Sequence, residues 1–418
     1  MAEKNSKSII VLGAGFGGLK VATSIAKKTK QEVILVDRND YQVFTPTLYE
    51  IAATSKETAN YLDLKKIVTF PIQELIRGYP IKFIQTSVEA LDLINGDIHC
   101  AGNLKLKFDY LVLALGSETN YFGIPGLLEN SLPLKTFMDA LAIRNRIFNA
   151  ISEENKRIKI LIGGGGSTGV ELAGELREWL CELEKEIKKP VQATVTIVEG
   201  ANSVLPGFNE KIIGKVTKRL RNLGIEIINN EIIEKVVPNK VIAKSGREIF
   251  YDILIWTGGV QASSLTRVLP LKTEEKKRQV VVAGKMECLP ETPDLKLYGK
   301  IYGLGDSVCF FDPVTEKPIP KVARAALLQA NIIAYNIVED IKGSGKHKIY
   351  IPKEYPYVIS VGGKFAIAKI GRWIISGFFG WILKGLVELN YMISIMGVWK
   401  ALNIWIKGLR IFIQNDLL

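Results

Sequence analysis

The chain has 418 residues, 47% of them hydrophobic and 23% charged, with a net charge of +12. That length and apolar content suffice for two or three separate cores, so several domains are expected and a disordered chain is excluded. The four cysteines (Cys100, Cys181, Cys288, Cys309) form no CxxC or CxxxxC pair, and neither His99 nor His347 has a second ligand at metal spacing; a disulfide scaffold, a zinc finger, a dithiol redox centre and a metal site are therefore not expected, and the compartment is expected to be reducing.

The start "MAEKNSKS" is polar and leads directly into an apolar strand, Ser8 to Leu12, so no targeting signal is expected there. A helix is expected from Gly18 to Lys27, which leaves Gly13, Gly15 and Gly18 on the connecting turn. Strand, glycine turn and helix in that order are the context of a dinucleotide fingerprint. Gly13 permits the sharp turn, Gly15 lets a pyrophosphate approach the backbone, and Gly18 lets helix pack on strand. The helix N-terminus offers N–H groups and a positive dipole end to the phosphates. A second strand, "EVILVD", ends at Asp37, where a carboxylate accepts the hydroxyls of an adenosine ribose.

The same logic returns with Gly164, Gly166 and Gly169 after the strand "IKILI", a helix from Val170, and the strand "ATVTIVEG" with Glu199 near its end. An acid there repels a 2′-phosphate, and the "GANS" that follows supplies no arginine to bind one, so NADH is favoured over NADPH. Two complete ADP cradles in one chain imply two dinucleotides that meet face to face, a tightly held FAD and a visiting NADH.

Further motifs make the chain recognisable: "FTPTLYEIAA" (44 to 53), "LVLALGS" (111 to 117), "GGGSTGVELAGEL" (164 to 176), "VEGANSVLPGF", "WTGGV" (256 to 260) and "IYGLGDSV" (301 to 308). With "GAGFGG" they resemble, across essentially the whole chain, the two-dinucleotide flavoprotein disulfide-reductase superfamily, and within it the type II NADH:quinone oxidoreductases. The strands ending at Gly116 and Gly258 are read as places where the chain passes close under a nucleotide, with Ala114 beside the first. The resemblance implies that Gly305 and Asp306 hold the ribityl and phosphate portion of FAD, that Thr45 and Pro46 run beside the isoalloxazine ring, and that Glu171 lies near nicotinamide and flavin. Thr168 and Glu171 also have the spacing of a capping box. Lys20, at the matching position of the first cradle, suits phosphates, and Lys364 is placed among the cofactor contacts.

The run "KVARAALLQANIIAYNIVEDI" after Pro320 is strongly helical, and in relatives the start of this helix points at the flavin's pyrimidine edge. The family pattern there has two glutamines bordering the quinone pocket. This chain keeps Gln329 but has Arg324 in place of the other.

Residues 341 to 418 contain eleven Lys/Arg against three Asp/Glu, eight of the twelve net positive charges, together with four of the six tryptophans. Uninterrupted uncharged runs reach eleven residues, short of the roughly 20 a spanning helix needs. Lys400, Asn403, Lys407, Arg410 and Gln414 share one helical stripe, with Leu402, Trp405, Leu409 and Phe412 opposite. That pattern describes a helix lying in a membrane interface and drawn to anionic lipid.

The expected fold is α/β, with two Rossmann-like dinucleotide-binding domains and a C-terminal amphipathic, membrane-anchoring helical module. The FAD domain is expected over 1–118 and 259–335, the NADH domain over 119–258, and the anchoring module over 336–418. Expected cofactor contacts are Gly13, Gly15, Gly18, Asp37, Thr45, Pro46, Ala114, Gly116, Gly305 and Asp306 for FAD, Gly164, Gly166, Gly169, Glu199 and Gly258 for NADH, and Lys364 for either; Glu171, Gln329 and Arg324 are the candidate catalytic residues. The implied activity transfers hydride from NADH to FAD and two electrons to a membrane quinone, without proton pumping, in a peripheral, monotopic homodimer on the cytoplasmic face. Its rivals are a sulfide:quinone oxidoreductase, which would need cysteines flanking the flavin, a soluble reductase serving a protein acceptor, and a non-enzymatic NADH-sensing flavoprotein.

Overall fold

The structure, a computed structural model, describes residues 7–152, 157–188, 190–275 and 277–414. Residues 1–6 of the polar start lie outside these. In chain order, the principal elements up to the second glycine turn are β1 (Ser8–Leu12), α1 (Phe16–Ala26), β2 (Glu32–Asp37), α2 (Leu48–Ala52), α3 (Tyr61–Val68), β3 (Ile81–Gln85), β4 (Tyr110–Leu113), β5 (Leu132–Pro133), α4 (Phe137–Ser152) and β6 (Ile158–Gly163). There follow α5 (Ser167–Ile187), β7 (Ala193–Val198), β8 (Glu226–Ile228), β9 (Ile253–Trp256), β10 (Lys300–Gly303), α6 (Ala323–Ile341), β11 (Tyr357–Ser360), β12 (Ala366–Ile370), β13 (Trp373–Gly377), α7 (Phe378–Met396) and α8 (Val398–Ile413).

Two compact units result. One comprises Met1–Gln42, Phe70–Glu118 and Val260–Tyr355; the other comprises Val43–Thr69, Thr119–Gly259 and Pro356–Leu418. The loop with Thr45 and Pro46 thus groups with the second cradle, and so does the C-terminal segment from Pro356.

The first unit is built on a five-stranded sheet in the order β10-β4-β1-β2-β3, with parallel pairing at every step. Strand β1 reads as an unbroken apolar run because both faces of a parallel sheet are covered, and Ile9 through Leu12 are wholly buried. Helices α1 and α6 pack on each other, and α1 lies on this sheet.

The second unit repeats the plan, with parallel strands in the order β5-β9-β6-β7-β8. To it is added an antiparallel sheet, β11-β12-β13, with helices α7 and α8. Helix α7 lies flush on β12 because Gly380 has no side chain: a Cβ there would strike the Ala366 carbonyl. Gly397, at φ +84°, ends α7 and starts α8, so an otherwise continuous apolar run folds into a helical hairpin.

Counting uncharged runs misjudged this segment. Helix α7 is 19 residues long and by length and composition is apolar enough to cross a membrane. The run-length reading missed it because Lys384 and Glu388 interrupt the sequence, yet in the helix they stand one turn apart and pair with each other.

The hairpin also differs from the interfacial helix expected for its second half. Trp405, Leu409 and Phe412 of α8 turn inward and line a pocket within the unit, while Lys407 pairs with Asp63 of α3 at 3.1 Å. The outward apolar surface comes instead from Phe378, Phe379, Leu386 and Val387 of α7, with Val398, Trp399 and Ile406 of α8 and the preceding Trp373.

Candidate functional site

Both glycine turns have one geometry. Gly13 and Gly164 take φ +101° and +110°, and a Cβ on either would collide with backbone, at Ala114 in the first turn and at Gly258 in the second. Gly15 and Gly166 are extended N-caps, at φ −69° and −67°, and no side chain caps either helix. A Cβ at either would meet no atom within 4 Å, so space is left where a phosphate must approach main-chain N–H groups. Both helices start earlier than expected, at Phe16 and Ser167, because the turn is completed at the N-cap glycine. Gly18 and Gly169 therefore lie inside the first helical turn, where a Cβ would run into the carbonyl of Gly13 or Gly164.

The acids at the strand ends are fixed in the same way. Asp37 Oδ2 accepts from the Ala14 N–H at 2.7 Å and Oδ1 from the Asn39 N–H at 2.8 Å. Glu199 Oε2 accepts from the Gly165 N–H at 2.7 Å and Oε1 from the Ala201 N–H at 2.8 Å. Each carboxylate oxygen keeps lone-pair capacity for a ribose hydroxyl. These cradles fit the ADP halves of FAD and NADH, and both are open at their N-cap glycines, Gly15 and Gly166.

Elsewhere in the first unit, Gly116 takes φ +72° and Gly305 φ +66°. Asp306 Oδ2 accepts from Ser117 Oγ at 2.9 Å, and Ser307 Oγ donates to the Gly116 carbonyl at 3.2 Å, which draws the ends of β4 and β10 together. The two residues taken from the helix after Pro320 part company. Gln329 is buried and its Oε1 accepts from the Gly305 N–H at 2.8 Å, whereas Arg324 is exposed near the start of α6. Five residues along a helix turn them onto different faces.

In the second unit, Thr45 and Pro46 are exposed on a short 3₁₀ turn before α2, and Lys364 is half-buried on the turn between β11 and β12. Gly258 has the Trp256 ring against it, and Thr257 Oγ1 donates to the Gly164 carbonyl at 3.0 Å. The capping box does not form: no side chain caps α5, and Glu171 instead accepts from the Ser360 N–H at 3.4 Å.

The second unit also holds a buried charge cluster that sequence reasoning did not assemble. Lys384 Nζ lies 2.7 Å from Glu50 Oε1 and 3.2 Å from Glu388 Oε1, with all three side chains at most 14% exposed, and its ammonium stands 5.5 Å from the centre of the Tyr49 ring. Burial opposes the charge on Lys384, but Glu388 and Glu50 outweigh it and push its pKa up, so it stays an ammonium. Burial raises the Glu171 carboxyl to about 8, Lys384 and the Ser360 N–H holding it down in part and Glu50 and Glu388 adding to the rise. Glu171 therefore carries a proton at neutral pH.

Glu50, Lys384 and Glu388, with Glu175 and Ser360, form the polar end of a pocket whose remaining walls include Trp381, Leu386 and Trp405. Leu386 also stands on the exposed apolar surface, so the pocket wall reaches that surface there. The one sequence signal for this cluster was Lys384 and Glu388 at i and i+4 in an otherwise apolar helix. Glu50 was in view only as part of a motif.

Residues 7–330 match the family model described as pyridine nucleotide-disulphide oxidoreductase. The chain is 26% identical to the type II NADH:quinone oxidoreductase of Staphylococcus aureus (strain NCTC 8325 / PS 47), over 95% of this chain and 98% of that protein. Its fold is similar to that of NDH2 from Plasmodium falciparum in complex with NADH (TM-score 0.82, 20% identity, 97% of this chain and 98% of that one). It is also similar to the sulfide:quinone oxidoreductase of Aquifex aeolicus (TM-score 0.76, 20% identity, 98% and 96%). At those identities the two structures speak for the fold alone, but the family model spans most of the chain: the chain belongs to the pyridine nucleotide-disulphide oxidoreductase family.

Proposed function

We propose that the chain oxidises NADH through a bound FAD and passes the electron pair to a quinone at a membrane surface. The observation that carries this reading is the second cradle, open and intact, with Glu199 at its ribose end. FAD, when bound, supplies an acceptor that takes up a hydride and gives up two electrons. Gly13, Gly15, Gly18 and Asp37, with Ala114, Gly116, Gly305 and Asp306, are the residues of the first unit that would hold it. Gly164, Gly166, Gly169, Glu199 and Gly258 would hold NADH.

The pocket is read as the quinone site. Reducing a quinone to quinol takes up two protons with the two electrons, and Glu171 holds one at neutral pH. The Lys384 ammonium suits charge building on a quinone oxygen, and the tryptophans suit an apolar ring and tail. Where its wall reaches the exposed apolar surface, a lipid-dissolved substrate has an entry. That surface, with Arg372, Lys400 and Arg410 beside it, is read as a monotopic docking face on anionic lipid.

Sulfide oxidation is the weaker reading. Cys100, Cys288 and Cys309 are buried, and burial raises all three thiols away from the reactive thiolate. The test is anaerobic mixing of the purified protein with NADH, NADPH and sulfide in turn, with flavin bleaching followed before and after a menaquinone or ubiquinone analogue is added. Bleaching by NADH and recovery with quinone are expected; bleaching by sulfide alone overturns the proposal.

A further inference from the structure

Within the second unit, a turn beside the second cradle carries a residue that its backbone disfavours. The Ile124 N–H donates to the Tyr121 carbonyl at 2.9 Å, and the two residues between them, Phe122 and Gly123, take φ +52° and +67°. Positive φ at both central positions is the pattern of a type I′ turn, for which Asn-Gly is the usual pair. Gly123 fits that pattern. A phenylalanine in the left-handed region is an outlier, and such strain persists only where the surroundings enforce it. Here they do: Asn120 Oδ1 accepts from the Phe122 N–H at 2.8 Å, and the Asn120 carbonyl accepts from Trp256 Nε1 at 2.8 Å. Yet the ring that the turn holds up is 58% exposed. It meets Trp256 edge to face, with 6.4 Å between centroids, and lies over Gly259, where a Cβ would come within 2.9 Å of it. Packing within the protein does not account for a strained backbone under a ring left largely in water.

The sheet order says which part of a ligand would meet this ring. Glu199 follows β7 on one side of β6, and Trp256 ends β9 on the other. The glycine turn after β6 lies between them, with Gly258 against Gly164. A dinucleotide with its adenosine ribose on Glu199 and its pyrophosphate at Gly166 therefore continues over the end of β9, across the carboxyl ends of the strands. We propose that Phe122 is an NADH-binding residue that contacts the nicotinamide riboside half, its aromatic face presented by a turn whose own geometry favours asparagine. This rests on the reading of the second cradle as the NADH site.

The test is Phe122→Asn in the FAD-loaded protein, its flavin reduced beforehand with dithionite so that no turnover occurs, titrated calorimetrically with NADH and with ADP. NADH binding is expected to weaken about tenfold, the upper range for one aromatic contact. ADP lacks the nicotinamide riboside half, so its affinity is expected to stay that of the wild type. Asparagine suits the left-handed backbone, so the variant is expected to melt no lower than the wild type, and Phe122→Tyr to bind NADH normally. Unchanged NADH affinity in Phe122→Asn overturns the proposal. So do equal losses for NADH and ADP, and so does a lowered melting temperature, which would make the ring part of the core. Where Phe122→Asn does not fold, Phe122→Gly, which the same backbone accepts, is titrated under the same criteria. A wild-type protein that binds neither NADH nor ADP refutes the cradle reading itself, whereas NADH binding indifferent to residue 122 refutes this inference alone.

Discussion

The contrast between Gly166 and Gly169 puts the second cradle to a quantitative test. Gly166 has φ −67° and ψ −177°, which alanine adopts without strain, and a methyl there meets no protein atom within 4 Å. Gly166→Ala therefore leaves the fold intact and raises stability by up to roughly 1 kcal/mol through the unfolded chain. The methyl instead occupies the space a pyrophosphate needs. Losing two charge-assisted N–H contacts at about 1.5–3 kcal/mol each removes roughly 3–6 kcal/mol of binding, on the order of 10² to 10⁴ in the dissociation constant for NADH. Gly169→Ala does the opposite: its Cβ is driven into the Gly164 carbonyl and to 2.8 Å from Thr257 Oγ1, and overpacking against backbone costs about 1–3 kcal/mol of stability or more. Thermal melting and calorimetric NADH titration separate the two effects. Wild-type NADH affinity in Gly166→Ala, or a larger loss of stability there than in Gly169→Ala, refutes the reasoning.

Other outcomes follow from the same geometry. Between pH 5.5 and 7.5 the unfolded chain releases the Glu171 proton while the folded chain, with that carboxyl raised to about 8, retains it; stability therefore falls as pH rises, by at most about 1.4 kcal/mol per unit. Glu171→Gln removes this slope, so melting temperatures of the two proteins measured over that window should diverge in favour of the variant, and parallel curves contradict the assignment. Glu199→Ala removes the acid that repels a 2′-phosphate, and the NADH-over-NADPH ratio of kcat/KM is expected to fall at least tenfold, about 1.4 kcal/mol; an unchanged ratio removes Glu199 from the ribose site. Phe379→Ser with Trp399→Ser, at residues 70% and 86% exposed, should abolish co-flotation with vesicles containing anionic lipid, and undiminished flotation moves the docking face elsewhere.

The sequence alone determined both cradles. Their chemistry is local: a turn that needs positive φ at Gly13 and Gly164, open space at Gly15 and Gly166, and an acid at the end of the next strand lies within about 35 residues each time, so spacing is enough to reveal it. Tertiary structure decided what was not local. Lys384 looked like one more cation in a greasy tail until the fold brought it to Glu50, 334 residues away in the chain. A lone carboxylate such as Glu50 shows nothing of its burial in sequence, and the inward turn of Trp405 and Leu409 depends on what α8 packs against. Glycine turns are set by backbone sterics within a few residues, whereas proton affinity and which face of a helix is wet are set by neighbours that only the folded chain supplies.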